Sequence, residues 1–429
     1  MRYEEARAYM RDIQNGARIK PGLETIGQLL EHLGNPQDTL NIIHIAGTNG
    51  KGSTAAFIES VLNETGKKVG RFVSPAVFEE RETIRYSQKG QTKYITEEEF
   101  AYHMVSVREA IKKMQTSGER VPTEFEIETA LAFLAFQSWN CDVVLLEVGM
   151  GGRLDSTNVV KNPQCVVITP IAKDHTKFLG DTIEDIAMEK AGVIKQGVPV
   201  VTYQENAAVI SCLKKVCKDK KAELHLVKKE QIHCYEMNER GNIFSYENDQ
   251  PLRILMAGRY QVENACLAIT CLHVLQKTML IQEKDIVDGI AKAKWQGRFQ
   301  VLHTEPIMVL DGAHNPNGMQ AFCESVITCF PNQRRIGVMG VFADKEYTTM
   351  CKQVVEISDF VYTVTPPSER GLSSVVLAEC IKEQGGNALA CEEIIEAVEQ
   401  ARHQAVKCDA VIFVVGSLSI MQEVCKYFT

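Results

Sequence analysis

The segment Ile45-Ala46-Gly47-Thr48-Asn49-Gly50-Lys51-Gly52-Ser53-Thr54 has the clearest chemical content in the sequence. It lies between an apolar run at 41–46, read as a buried strand, and a helix-period segment at 53–65. A glycine-rich turn between strand and helix can aim backbone N–H groups at an anion, and the helix N-terminus adds its positive dipole end. Lys51 supplies a point charge suited to β- and γ-phosphates. The spacing departs from G-x-x-x-x-G-K-[ST], because Gly52 follows the lysine and Ser53 comes one place later. The hydroxyl that usually reaches Mg²⁺ is displaced, so another oxygen is needed. Asn49, Gly50, Lys51, Gly52 and Ser53 are the nucleotide-binding candidates here. No Asn-Lys-x-Asp guanine-reading motif occurs, which disfavours a switch GTPase.

Other residues have types suited to the same chemistry. Glu147 closes the apolar run 143–146, and a carboxylate at the C-terminal end of a parallel strand points toward a ligand crevice. By residue type alone it reads equally as a solvated strand end. Ser74 precedes Pro75 after a strand-like run at 68–73, and His175 follows another at 165–171. Taken singly, these are a turn serine and an ordinary histidine.

Positioning these groups requires a repeated alternation of strands and helices, and the chain has one. Strands are expected at 41–46, 68–73, 142–148, 165–171, 198–202 and 222–227. Helices are expected at 53–65, 96–115, 123–139 and 182–195, which implies a parallel sheet with crossover helices. A hairpin is expected within 231–253, around Glu239-Arg240-Gly241-Asn242, followed by helices at 260–276 and 283–293. The irregular stretch 295–306 reads as a domain boundary. Beyond it, strands at 307–310, 335–341, 360–364 and 410–415 alternate with helices at 316–330, 345–357, 373–383, 392–404 and 417–426. The expectation is two unequal α/β domains, 1–295 and 296–429.

Composition narrows the class. With 429 residues, 45% hydrophobic and 24% charged, the chain is an ordinary globular one, not disordered or fibrous. Its 47 basic and 55 acidic residues give a net charge of −8, which disfavours a broad nucleic-acid-binding face. The fourteen cysteines are scattered without a C-x-x-C pair and read as reduced core residues of a cytoplasmic protein. The N-terminus lacks a signal-like apolar stretch, and no run is long enough to span a bilayer.

Several stretches, taken with the phosphate loop, resemble the folylpolyglutamate synthase and dihydrofolate synthase family, a branch of the Mur-type ATP-dependent amide ligases. They are Gly47 through Ser53, Ser74-Pro75, Thr123-Glu124-Phe125-Glu126 and Leu146-Glu147-Val148-Gly149-Met150-Gly151-Gly152-Arg153-Leu154-Asp155-Ser156-Thr157-Asn158. Asp174-His175-Thr176, Glu189-Lys190-Ala191-Gly192, Gly297-Arg298-Phe299 and Asp311-Gly312-Ala313-His314-Asn315-Pro316 follow in family order.

The resemblance implies a large P-loop-containing parallel-sheet ATPase domain and a smaller Rossmann-like C-terminal domain. It implies ATP with two Mg²⁺ ions, a folate or dihydropteroate acceptor, and L-glutamate. Nucleic acid and membrane are not implied, and a monomer is expected. Ser74, Glu147, His175 and Lys190 become candidate metal ligands, and the family often carries a carbamylated lysine at the place of Lys190. Lys51, His175 and Lys190 are the catalytic candidates. Asn264, Arg298, Asp311 and, less strongly, His314 resemble ATP contacts. Thr123, Glu124, Phe125, Glu126, Leu154, Asp155 and Ser156 border the pterin-carrying substrate by the same resemblance. Ala76-Val77 stands where many members carry His-Leu, and Glu82-Thr83 replaces a common Glu-Arg. A cell-wall-precursor ligase and a noncatalytic nucleotide-binding protein are the competing readings.

Overall fold

A computed structural model describes residues 1–16, 22–302 and 305–428. The chain forms two compact units, Met1–Lys228 with Ala265–Ile290, and Lys229–Asn264 with Ala291–Thr429. The partition therefore places 229–264 with the C-terminal part, beyond the contiguous boundary expected near 295.

The first unit is built on strands β1 (Ile42–Ala46), β2 (Val69–Phe72), β3 (Ile84–Gln88), β4 (Gln91–Tyr94), β5 (Val143–Glu147), β6 (Cys165–Ile168), β7 (Val200–Thr202) and β8 (Leu224–Leu226). They form one sheet in the order β4-β3-β2-β5-β1-β6-β7-β8. The six strands β2, β5, β1, β6, β7 and β8 are parallel, as the alternation requires. β3 and β4 are antiparallel additions at one edge and were not anticipated from the sequence. β1 and β5 are buried at every residue, because crossover helices cover both faces. One core holds Leu29, Phe100, Met104, Phe133 and Phe136, and a second holds Ile186, Ala187, Val209 and Leu213.

Register decides which groups share an edge. Ile45 pairs with Glu147, Phe72 with Leu146, and Ala46 with Ile168. The segments beginning at Val73, Val148, Gly47 and Thr169 thus leave four adjacent strands at the same carboxyl-end edge.

The second unit contains a three-stranded antiparallel sheet, β9 (Ile232–Asn238), β10 (Gly241–Tyr246) and β11 (Leu252–Ile254). It also contains β12 (Gln300–Leu302), β13 (Met308–Asp311), β14 (Arg334–Met339), β15 (Phe360–Thr363), β16 (Ala388–Ala390) and β17 (Ala410–Val415). Their order is β12-β13-β17-β14-β15-β16, parallel except for β12. The stretch 295–306, expected to be irregular, therefore contributes the short edge strand β12. None of the fourteen cysteines is joined in a disulfide. No helix among the described residues is long and apolar enough to cross a membrane.

Candidate active site

The phosphate loop connects β1 to the helix Lys51–Glu64. Gly47 has φ +138°, and a Cβ there would come 1.9 Å from Thr169 Oγ1, so only glycine fits. The loop is tied to the segment after β6. The N–H groups of Thr48 and Asn49 donate to the Pro170 carbonyl at 3.0 and 3.3 Å, and Thr48 Oγ1 bonds both the N–H and the carbonyl of Ala172. The Asn49 amide is thus engaged in holding the loop. The anion-facing donors are the first-turn N–H groups of the helix, which have no intrahelical acceptor. Ser53 is buried in that turn.

Two lysines converge on one oxygen. Lys51 Nζ lies 3.3 Å from the Gly47 carbonyl and 3.9 Å from a Glu147 carboxylate oxygen. Lys190 Nζ donates to the same Gly47 carbonyl at 2.8 Å. Read from the sequence alone, Lys190 is a solvated residue near the middle of a helix spanning 182–195. Instead the helix is Ile183–Ala191, and Lys190 in its last turn is 5% exposed. Burial pulls its pKa down to about 7, and the neighbouring Lys51 charge adds to the effect, against the opposing pull of Asp174 and Asp155.

Glu147 ends β5 and is buried, in register beside the loop-bearing β1. Ser74, two residues beyond β2, has its Oγ buried without a hydrogen-bond partner. A carboxylate and an orphaned hydroxyl at adjacent strand ends, facing a phosphate loop, form an oxygen donor set that fits Mg²⁺, which completes its shell with phosphate and water oxygens. Among the described residues no group of three or more His, Cys, Asp or Glu side chains gathers into an all-protein metal cage. His175 follows β6 in the left-handed conformation, φ 51°. Its N–H donates to Asp174 Oδ1 at 2.8 Å, and its side chain is 41% exposed.

The acceptor-side candidates divide. Thr123 and Glu126 form a reciprocal capping box at the start of the helix Glu124–Ser138, so their polar atoms fix that helix. Glu124 lies 3.9 Å from Arg7, and the Phe125 ring packs on the backbone at Gly149. Asp155 is buried. Its carboxylate accepts from Thr157 N–H at 3.0 Å, Thr157 Oγ1 at 2.6 Å and Met150 N–H at 3.0 Å. It therefore shapes the loop that carries Leu154, which is 37% exposed, and the buried Ser156. Thr157 Oγ1 in turn accepts from His44 Nε2 at 2.9 Å, and burial holds His44 neutral with a pKa of about 3.

In the second unit, Asp311 ends β13 and is 3% exposed. Its carboxylate accepts from the Tyr260 hydroxyl and from the N–H groups of Phe299 (2.8 Å) and Ala313 (2.7 Å). Burial pushes its pKa up, and Arg298 partly offsets this. A Cβ at Gly312 would fall 2.1 Å from Arg298 Nη1, so glycine admits the guanidinium beside Asp311. His314 Nδ1 contacts the Gly312 carbonyl at 2.8 Å. Asn264 lies inside the helix Arg259–Met279 rather than capping it, and its amide donates to Gln261 Oε1 at 3.0 Å. Sequence reading missed Tyr260, Thr169 and His44. Each acts across strands or across at least 50 residues, where spacing carries no signal.

The Mur ligase middle domain matches residues 45–272, and the Mur ligase glutamate ligase domain matches 297–418. The dihydrofolate synthase/folylpolyglutamate synthase of Bacillus subtilis is 36% identical over 374 residues, covering 84% of each chain. The chain belongs to the folylpolyglutamate synthase/dihydrofolate synthase family. Among solved members of that family, the folylpolyglutamate synthase of Thermotoga maritima has a TM-score of 0.84 at 32% identity, covering 99% of this chain and 96% of its own. The E. coli FolC structure described as a complex with DHPP and ADP has a TM-score of 0.85 at 27% identity, covering 99% and 97%. As a family member the protein is an ATP-dependent Mur-type ligase, and its two α/β units are the architecture expected from the sequence.

Proposed function

We propose that this protein joins L-glutamate, at the expense of ATP, to the γ-carboxylate of a folate's terminal glutamate, to the carboxylate of dihydropteroate, or to both. The observation that carries this reading is the convergence of Lys51 and Lys190 on the Gly47 carbonyl beside Glu147, in a chain whose family members perform glutamate ligation. A carboxylate is a poor acyl donor until its oxygen becomes a leaving group. Transfer of the γ-phosphoryl group to it gives an acyl phosphate. Attack by the glutamate amine then forms the amide and releases phosphate. The chain must hold the phosphates, align the acceptor carboxylate and stabilise developing charge.

Lys51 and the first-turn N–H groups hold the transferring phosphoryl group. Ser74 and Glu147 would hold one Mg²⁺, and His175 with Lys190 a second. Bound Mg²⁺ supplies charge neutralisation of the phosphate oxygens. A carbamylated Lys190 would turn the buried amine into an anion with oxygen donors, removing its repulsion with Lys51. Loop 148–158, shaped by Asp155, and the helix start at Thr123–Glu126 border the acceptor. By the family resemblance Asn264, Arg298, Asp311 and His314 are assigned as ATP contacts. We assign residues 1–295 to the ATPase and folate-site part and 296–429 to the glutamate-ligase part. The working form proposed is a cytoplasmic monomer acting on small molecules, without nucleic acid or membrane.

The test is ADP release coupled to L-glutamate, with dihydropteroate, tetrahydrofolate and its glutamylated forms offered separately. Turnover stimulated by one of these acceptors supports the proposal. Stimulation only by a cell-wall precursor, or by no acceptor, overturns it.

A further inference from the structure

Arg71 is the largest fully buried side chain among the described residues, at 0% exposure. It lies on β2, three residues before Ser74. Its Nη1 donates to Glu59 Oε2 at 2.8 Å, and its Nη2 donates to the Gly52 carbonyl. Gly52 and Glu59 are seven residues apart on the helix Lys51–Glu64. That is two turns, so they share a face, and one guanidinium fork spans both. Arg85 stands directly opposite Arg71 in the antiparallel β2–β3 pair, and its Nη2 reaches the same Glu59 oxygen at 2.9 Å. Two guanidinium groups thus share one carboxylate oxygen beneath the phosphate-loop helix. Glu147 also attracts Arg71.

A buried ionic cluster is a weak stabiliser. Apolar residues of equal volume often hold a core as well, because desolvation cancels much of the ionic gain. This cluster makes a contact that an apolar core would not make. It grips a backbone carbonyl in the turn whose N–H groups face outward.

We propose that Arg71 is a positioning residue for the phosphate-binding turn, anchoring Gly52 against Glu59. The inference rests on the reading that this turn binds ATP. Arg71 acts through Gly52 and Ser53 and need not touch the nucleotide. Lysine cannot replace it fully, because a single ammonium cannot present the planar fork that reaches two rungs of the helix.

The experiment compares Arg71→Met, Arg71→Lys, the triple variant Arg71→Met/Glu59→Leu/Arg85→Met and Lys51→Ala. ADP affinity, KM for ATP and the melting temperature without nucleotide are measured for each. We expect Arg71→Met to weaken ADP binding and raise KM about tenfold or more, the effect of a phosphate-binding turn that loses its anchor and shifts out of position. Arg71→Lys should fall between. In the triple variant the whole Arg71–Glu59–Arg85 cluster is replaced by apolar side chains, so the melting temperature should recover while nucleotide affinity stays low. If affinity recovers together with melting temperature, Arg71 is only structural and the proposal is overturned. Should Arg71→Met fail to fold, Arg71→Lys and the triple variant decide. Normal ADP binding by Lys51→Ala would instead overturn the phosphate-loop reading itself. Loss in Lys51→Ala with wild-type binding in every Arg71 variant overturns this inference alone.

Discussion

Lys190 combines burial, a hydrogen bond and a repelling neighbour, so its replacement has consequences that can be worked out in advance. An ordinary lysine at pH 7 is neutral in roughly one molecule in 3,000, whereas one whose pKa is about 7 is neutral in about half. The free amine that reacts with CO₂ is therefore about 10³-fold more abundant here than on an exposed lysine. The same shift sets a pH window for stability. Because the folded-state pKa lies below the unfolded one, the unfolded chain binds more protons between about 7 and 10.5. Stability contributed at this site rises across that window, and below it the full penalty of burying the ammonium is present. That penalty is on the order of 3–5 kcal/mol. Lys190→Met should accordingly stabilise the metal-free, nucleotide-free protein near pH 6.5 and flatten its stability between pH 7 and 10.

The same variant should lose most ligase activity. Activity of Lys190→Ala should return in part with added short carboxylic acids. Urea unfolding across the pH series, ¹³C NMR after equilibration with labelled bicarbonate, and the coupled ADP assay provide the measurements. An unchanged pH slope in Lys190→Met would refute the electrostatic reasoning. Full activity of Lys190→Ala, with no labelled carbamate in the wild type, would refute the catalytic reasoning.

Lys51→Ala should leave the fold intact, because the side chain ends in the loop rather than in a core. Turnover should drop about 10²-fold or more, and near-normal turnover at saturating ATP would exclude the assigned role. Arg298→Ala should raise KM for ATP and lower the maximal rate, and its ATP saturation curve is the check. Matching wild-type values would remove Arg298 from the ATP site. His44 is neutral in the fold with a pKa of about 3, so the unfolded chain takes up a proton first as pH falls below about 6.5. Stability held by this site is present above that pH and lost progressively toward pH 3. His44→Gln should show a shallower loss in acid unfolding, and an unchanged acid limb would show that His44 does not govern it.

The parallel alternation, the loop after β1 and the placement of Ser74, Glu147 and His175 after strand-like runs were legible in the sequence. These features are written in local periodicity and in turn chemistry, which act over a few residues. The apolar run before Glu147 could only be a buried strand, and the glycines around Lys51 could only be a tight turn into a helix. Edge strands β3, β4, β12 and β16 are short or half-exposed, and their periodicity is too weak to separate them from loops.

Tertiary structure decided the electrostatics. Lys190 and Gly47 are 143 residues apart, and they meet because β1 lies between β5 and β6 and the helix Ile183–Ala191 folds back onto the loop. The family resemblance puts Asp155 at the border of the substrate, and only the fold shows that its oxygens accept from Thr157 and Met150. Asp311 likewise meets Tyr260, 51 residues away. Nothing in the spacing of Arg71, Glu59 and Arg85 along the chain links them. Strand register buries them together under the phosphate turn, because a charge's energy depends on what surrounds it in space and not on its neighbours along the chain.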